Sequence, residues 1–189
     1  MILEFWQASL IAMISALCAI KILWPIAIDI NLVDIPDDRK QHDGSVPLIG
    51  GLSIYFGLMV AIYITQPLPD NLFYLLMTAS LVLLIGLLDD LKDLGIWPRI
   101  LVQIISCLLL VLFTDTCITS LGSPFGSNEI ELGKLAIPFT IFAVVGLVNA
   151  FNMSDGIDGL AGSLAIVTIF GIMFFDDVTN NPPLLGFLL

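Results

Sequence analysis

The chain has 189 residues, is 58% hydrophobic and carries a formal net charge of −11, with a mean hydropathy of +1.05. Soluble domains are about 45–50% apolar, and the excess here lies in long, almost charge-free runs that leave too little polar surface to keep the chain in solution. The acidity argues against a nucleic-acid partner, and the three cysteines show neither a disulfide framework nor a metal-binding spacing.

A hydrocarbon core about 30 Å thick needs roughly 20 apolar residues per helix. The first run, residues 5–28, meets that length. It is apolar on every side, whereas the strands of an outer-membrane barrel alternate in polarity, so a helix is predicted. It does not resemble a removable signal peptide, since Glu4 stands where basic residues are expected. Leu17, before Cys18, is too bulky for a lipoprotein cleavage site. Lys21 lies close enough to the far end of the run to snorkel there.

The first loop, 29–47, leads through Arg39-Lys40-Gln41-His42 to Pro47 and then to Gly50-Gly51 at the start of the second run, 48–66. Arg and Lys supply charge and donors for phosphate, and glycine admits a close backbone or ligand. A topogenic basic cluster followed by a helix-packing Gly pair is the plainer alternative.

The third run, 71–88, ends in Asp89-Asp90-Leu91-Lys92-Asp93. If the helix continued, the three carboxylates would sit near one another. Like charges that close repel unless a cation neutralises them, and Mg²⁺ suits carboxylate and phosphate oxygens. A solvated helix end is the alternative.

A short fourth run, 99–114, and a turn-rich connection over 115–134 lead to the fifth run, 135–151. The segment Asn149-Ala150-Phe151-Asn152-Met153-Ser154-Asp155-Gly156-Ile157-Asp158-Gly159 follows. Asn149 and Asn152 share a helix face, and two Asp-Gly units repeat a tight turn. Amides and carboxylates beside a bilayer are costly unless they bind something. An Asx-type turn explains one Asp-Gly, but hardly two with the paired Asn. A sixth run, 160–175, and an apolar start at 184–189 complete the pattern.

The expected fold is therefore all-α: a polytopic transmembrane helical bundle of about six complete spans plus the start of a seventh, forming a single membrane domain over 1–189. The loops 29–47, 89–98 and 152–159 hold Arg39, Lys40 and Lys92 and border Arg99, whereas the alternate set holds only Lys134. By the positive-inside rule these three loops are cytoplasmic and the N-terminus external. Ten of the seventeen acids, including Asp89, Asp90, Asp155 and Asp158, fall in the same loops. All three chemistry-bearing segments are thus expected on one face.

These segments resemble the polyprenyl-phosphate N-acetylhexosamine-1-phosphate transferase family, and within it the bacterial undecaprenyl-phosphate N-acetylglucosamine-1-phosphate transferases. The resemblance runs from Arg39-Lys40-Gln41-His42 through Asp89-Asp90 with Asp93 to Asn149–Leu160. Leu121-Gly122, Phe125-Gly126-Ser127, Pro98-Arg99 and Gln103 match between them. It implies an enzyme of the bacterial inner membrane that moves N-acetylglucosamine-1-phosphate from UDP-N-acetylglucosamine to undecaprenyl phosphate. The products are UMP and a lipid-linked sugar diphosphate, the first step of surface polysaccharide (O-antigen or cell-wall) synthesis. It further implies Mg²⁺, or Mn²⁺, held with the help of Asp89 and Asp90. Asp89, Asp90, Asp155 and Asp158 are the expected catalytic residues. Arg39, Lys40, His42, Asn149 and Asn152 are the expected substrate-binding ones.

The family's later Phe-x-Gly-Asp-x-Gly-Ser and His-x-His-His segments do not occur in these 189 residues. The resemblance therefore implies the N-terminal half of the family fold, with little activity alone, and a homodimer or a partner chain supplying the rest. A truncated or split, catalytically incomplete membrane protein, or a relative using another UDP-N-acetylhexosamine, is the alternative. A cation transporter would place its acids near the bilayer midplane, not at helix ends.

Overall fold

A computed structural model describes residues 2–34, 46–65, 70–124, 126, 129–154 and 159–179. Each of the six apolar runs forms a helix: α1 (Ile2–Asp29), α2 (Gly50–Thr65), α3 (Asp70–Lys92), α4 (Ile96–Thr114), α5 (Ala136–Ser154) and α6 (Leu160–Thr179). Two short strands, β1 (Val33–Asp34) and β2 (Val46–Pro47), stand between α1 and α2, and a 3-10 turn at Gly133–Leu135 precedes α5. The all-α polytopic membrane architecture expected from the hydropathy pattern is present. Four stretches are long and apolar enough to cross a membrane: Trp6–Asp29, Asp70–Lys92, Ile96–Thr114 and Gly133–Ser154. Gly50–Thr65 and Leu160–Met173 are shorter apolar helices. The start of a seventh span, 184–189, lies outside the described residues.

Helices are the physical solution because hydrocarbon offers backbone groups no water to bond. The same constraint governs the hydroxyls inside them. Thr65, Thr78, Thr114 and Thr168 each donate to a carbonyl one turn back in their own helix, at 2.7–3.0 Å. Large apolar side chains point outward, with Trp6, Tyr63, Phe142 and Phe170 among the most exposed. Small residues such as Ala19, Ala27, Ser53, Ala61 and Ala136 are buried. A water-soluble core would show the reverse; lipid-facing bulk and close-packed small residues suit a bilayer.

The chain falls into two compact units, residues 1–103 and 104–189, divided within α4. In the first, α1 and α2 pack along a seam of Ser53, Gly57 and Ala61, spaced one turn apart and all buried. Tyr55 bridges to the next helix, its hydroxyl donating to the Leu76 carbonyl at 3.1 Å.

The first loop is closed at its base. β1 and β2 pair antiparallel, Val33 opposite Pro47 and Asp34 opposite Val46. The Leu48 N–H adds a bond to the Leu32 carbonyl at 3.1 Å. Beneath this ladder Ala27, Leu32 and Ile49 form a buried apolar cluster, against which Ile20, Leu23, Leu48 and Leu87 pack.

In the second unit the connection before α5 is more ordered than a turn-rich linker. Leu121 N–H donates to the Ile130 carbonyl and Ile130 N–H to the Gly122 carbonyl, both at 2.9 Å, while Leu132 N–H reaches the Thr119 carbonyl at 2.8 Å. Gly122, at φ 72°, takes the left-handed conformation this hairpin needs. Thr140 fixes the hairpin to α5 by accepting from the Ile118 N–H at 2.9 Å.

Candidate functional site

After Asp70 and Asn71, α3 has no charged residue until Asp89 and Asp90 in its last turn. Both acids sit where the helix dipole disfavours negative charge, since the carbonyl end is itself partially negative. Arg99 has the opposite mismatch: it lies in the first turn of α4, at the partially positive end. The connection between the helices is only three residues, 93–95, and it brings the two mismatched charges together. Arg99 Nη1 donates to Asp89 Oδ2 at 2.8 Å.

The pair is end-on, not forked. Asp89 Oδ1 and Arg99 Nε are both buried and have no hydrogen-bond partner among the described residues. Leaving such groups unsatisfied costs roughly 1–3 kcal/mol each. The side chains remain 17% and 29% exposed respectively, so the pair lies at the boundary of the fold and not deep within it. Asp90, one residue on, faces outward.

The condition for grouping the three carboxylates, a helix continuing through Asp93, is not met. α3 stops at Lys92, because Asp93 adopts a left-handed φ of 49° while its N–H closes on the Asp89 carbonyl at 2.7 Å. Asp tolerates that conformation better than most residues. Among the described residues no three His, Cys, Asp or Glu side chains are grouped to hold a metal ion. The adjacent acids nevertheless fit Mg²⁺, which takes one or two carboxylates and completes its octahedron with water and substrate phosphates. The unpartnered Asp89 Oδ1 is the oxygen such an ion would satisfy.

Arg39, Lys40 and His42 lie outside the described residues, but both ends of their loop are placed by the β1–β2 ladder. Leu87, two residues before Asp89, packs on the apolar cluster beneath that ladder. A Cβ on Gly51 would rest 3.5 Å from Leu83 Cδ1, an ordinary contact. The base of the first loop and the acidic end of α3 are thus neighbours within the first unit.

The Asn segment belongs to the second unit. Asn149 Nδ2 donates to the Val145 carbonyl at 2.7 Å, one turn back in α5, which fixes the amide against its own helix. Asn152 is exposed three residues later, and α5 ends at Ser154. Asp155 and Asp158 lie outside the described residues. Gly159, at φ 75°, makes the turn into α6, where the Ser163 N–H and hydroxyl both donate to its carbonyl, at 2.9 and 2.6 Å.

In the sequence Arg99 stands out only as a loop-border cation and a matched position, and its pairing with Asp89 is visible only in the structure. The available signal was its place: a cation in the first turn of a helix is unfavourable alone and calls for a nearby acid.

Comparison with known proteins gives a consistent result. Residues 72–189 match the model of a family described as glycosyl transferase family 4. An undecaprenyl-phosphate alpha-N-acetylglucosaminyl 1-phosphate transferase of Yersinia pestis is 42% identical over 149 residues, 78% of this chain and 40% of the relative. The protein of that name in Escherichia coli (strain K12) is 37% identical over 158 residues, 82% of this chain and 43% of the relative. A probable undecaprenyl-phosphate N-acetylglucosaminyl 1-phosphate transferase of Bacillus subtilis (strain 168) is 30% identical over 161 residues, 85% of this chain and 45% of the relative. The chain spans about two fifths of the length of the curated relatives it matches. No solved structure matches it.

Proposed function

The chain belongs to glycosyl transferase family 4, and on that footing we propose that it serves the transfer of N-acetylglucosamine-1-phosphate from UDP-N-acetylglucosamine to undecaprenyl phosphate. An oxygen of the lipid phosphate bonds to the β-phosphorus of the nucleotide sugar. The bond from that phosphorus to the bridging oxygen breaks, its electron pair leaving with UMP. A lipid-linked sugar diphosphate stays in the membrane, as the first intermediate of a surface polysaccharide such as lipopolysaccharide O-antigen.

The observation that carries this proposal is the adjacent pair Asp89 and Asp90 at the polar end of an apolar helix, inside the stretch that matches the family. Phosphoryl transfer asks mainly for positioning and charge neutralisation. Asp89 and Asp90 would hold Mg²⁺, or Mn²⁺, beside the phosphates. Bound there, the ion offsets the negative charge that builds on the transferring group. Asp89 is held in place by Arg99, while Asp90 is exposed to an entering substrate and suited to take a proton from the lipid phosphate. Arg39, Lys40 and His42 lie on the loop whose base adjoins this end of α3 and would meet phosphate or sugar. Asn149, Asn152, Asp155 and Asp158 would shape the nucleotide subsite.

If α1 to α6 each crossed the bilayer once, the loops 29–47, 89–98 and 152–159 would emerge on one face. Their excess of Lys and Arg favours the cytoplasmic side of the inner membrane, where a soluble nucleotide sugar meets a lipid acceptor. The share of each relative that is covered favours a second statement: turnover needs the remainder of the family fold, from the same chain, a second copy or a partner.

The test is reconstitution of the whole gene product in nanodiscs containing undecaprenyl phosphate, with UDP-N-acetylglucosamine and Mg²⁺. UMP should be released in step with a labelled lipid product, and chelation should stop both. A complete product that releases no UMP and binds neither substrate rules the proposal out.

A further inference from the structure

We propose that Arg99 is a positioning residue, which anchors Asp89 through one carboxylate oxygen so that the other is presented as a single, fixed ligand atom. This rests on the proposed role of Asp89 and Asp90 in holding a divalent cation. Three observations carry it. The contact is made by one bond only, Arg99 Nη1 to Asp89 Oδ2 at 2.8 Å. The second oxygen, Oδ1, is buried and has no hydrogen-bond partner among the described residues. The two residues approach from opposite sides of a three-residue turn, each at the helix end its charge disfavours, so each is more favourable beside the other than alone.

A carboxylate at a helix end ordinarily rotates about two side-chain torsions. Fixing Oδ2 removes most of that freedom, and Oδ1 then has one direction left. Asp90 has a different situation, being exposed on the next position of the helix. The adjacent acids therefore differ in exposure: Asp89 is largely covered beside Arg99, whereas Asp90 is exposed.

The sign of the effect separates this from plain electrostatics. Removing a positive charge close to a cation site should tighten cation binding if Arg99 acted only as a charge. Removing an orienting partner should weaken it, typically by about ten- to hundredfold for outer residues that hold a metal ligand in place. The protein in nanodiscs is titrated with Mn²⁺ alone, and free Mn²⁺ is read by electron paramagnetic resonance. Wild type, Arg99→Gln, Arg99→Lys, Asp89→Asn and the Arg99→Gln/Asp89→Asn double variant are compared, with helical content checked by circular dichroism.

Arg99→Gln and Asp89→Asn are expected each to weaken Mn²⁺ binding at least about tenfold. Arg99→Lys, which keeps the charge but reaches less far than Nη1, should fall between Arg99→Gln and wild type. The double variant should bind no more weakly than the worse single one, since both act through the same oxygen. Binding that is unchanged or tighter in Arg99→Gln overturns the inference, as do losses that multiply in the double variant. If Arg99→Gln loses helical content, the Arg99→Lys titration decides on the same criterion. A wild-type protein that binds no Mn²⁺ overturns the inference and leaves UMP release to judge the proposed transfer. Conversely, absent UMP release with intact Mn²⁺ binding removes the proposed reaction while Arg99 keeps its role.

Discussion

Gly57 of α2 lies directly against the backbone of α1 at Ala12: a Cβ at Gly57 would stand 2.5 Å from the Ala12 carbonyl oxygen, and 2.9 Å from Ala16 Cβ. Neither neighbour is the tip of a flexible side chain, so the helices themselves must separate to admit a methyl group. Gly57→Ala should therefore destabilise the protein by about 1–3 kcal/mol despite alanine's better helix propensity. Gly86, with nothing within 4 Å of its would-be Cβ, is the matched control. Gly86→Ala should be neutral or gain up to about 1 kcal/mol. Thermal unfolding of both variants in the same detergent checks the pair, and equal shifts for the two would count against the seam.

Thr140 is buried and bonded twice, donating to the Ala136 carbonyl at 2.7 Å and accepting from the Ile118 N–H at 2.9 Å. Thr140→Val keeps the shape but removes the acceptor and strands a backbone donor. A cost of about 1–3 kcal/mol is expected, with faster hydrogen exchange at the Ile118 amide. Thr140→Ser should retain most of the protection. Exchange at Ile118 that does not change in Thr140→Val would show that the hairpin is held by other contacts.

Tyr55→Phe removes the single hydroxyl that reaches from α2 to the Leu76 carbonyl. That carbonyl belongs to a helix and keeps its own helical partner, so no buried acceptor is abandoned. The loss should be small, about 0.5–1.5 kcal/mol. Chemical unfolding with matched detergent measures it.

The two adjacent acids should separate stability from turnover. Asp89→Asn removes the negative charge that faces Arg99 and should lower both the melting temperature and UMP release. Asp90→Asn, at an exposed position, should cost about 0.5 kcal/mol or less in stability. It should nevertheless reduce turnover about a hundredfold, the scale of losing one group that acts on the transferring phosphate. Parallel melting curves and UMP assays on the whole gene product decide; a fully active Asp90→Asn variant would remove Asp90 from the chemistry.

Sidedness can be read with single cysteines introduced after Cys18, Cys107 and Cys117 are replaced. A membrane-impermeant maleimide should label Lys92→Cys only in inside-out vesicles and Glu129→Cys only in right-side-out ones. The opposite pattern would invert the orientation inferred from Lys and Arg.

The number and order of the helices were legible in the sequence, because a bilayer imposes length and apolarity locally, residue by residue. The six runs and the six helices agree to within a few residues at most ends. What differed lay at polar connections. The third run was expected to end at Leu88 with 89–98 as a loop, but α3 runs on to Lys92, so that Asp89 and Asp90 are helical and the left-handed Asp93 is not. The loop after α4 was read as a linker, yet backbone bonds make it a hairpin joined to α5. Such outcomes depend on one φ angle or one non-local hydrogen bond, which hydropathy does not encode.

For the candidate site, the sequence by itself determined which residues bear chemistry: Asp89, Asp90, Asn149 and Asn152 stand out because polar groups at a bilayer edge are costly without a purpose. Only the tertiary structure decided that Asp89 and Asp90 are unlike each other. Arg99 is ten positions away, and no periodicity links it to Asp89. A three-residue turn between the last turn of α3, which carries Asp89, and the first turn of α4, which carries Arg99, brings them to 2.8 Å. The cation that first neutralises the acidic end of α3 is therefore a side chain of the protein itself.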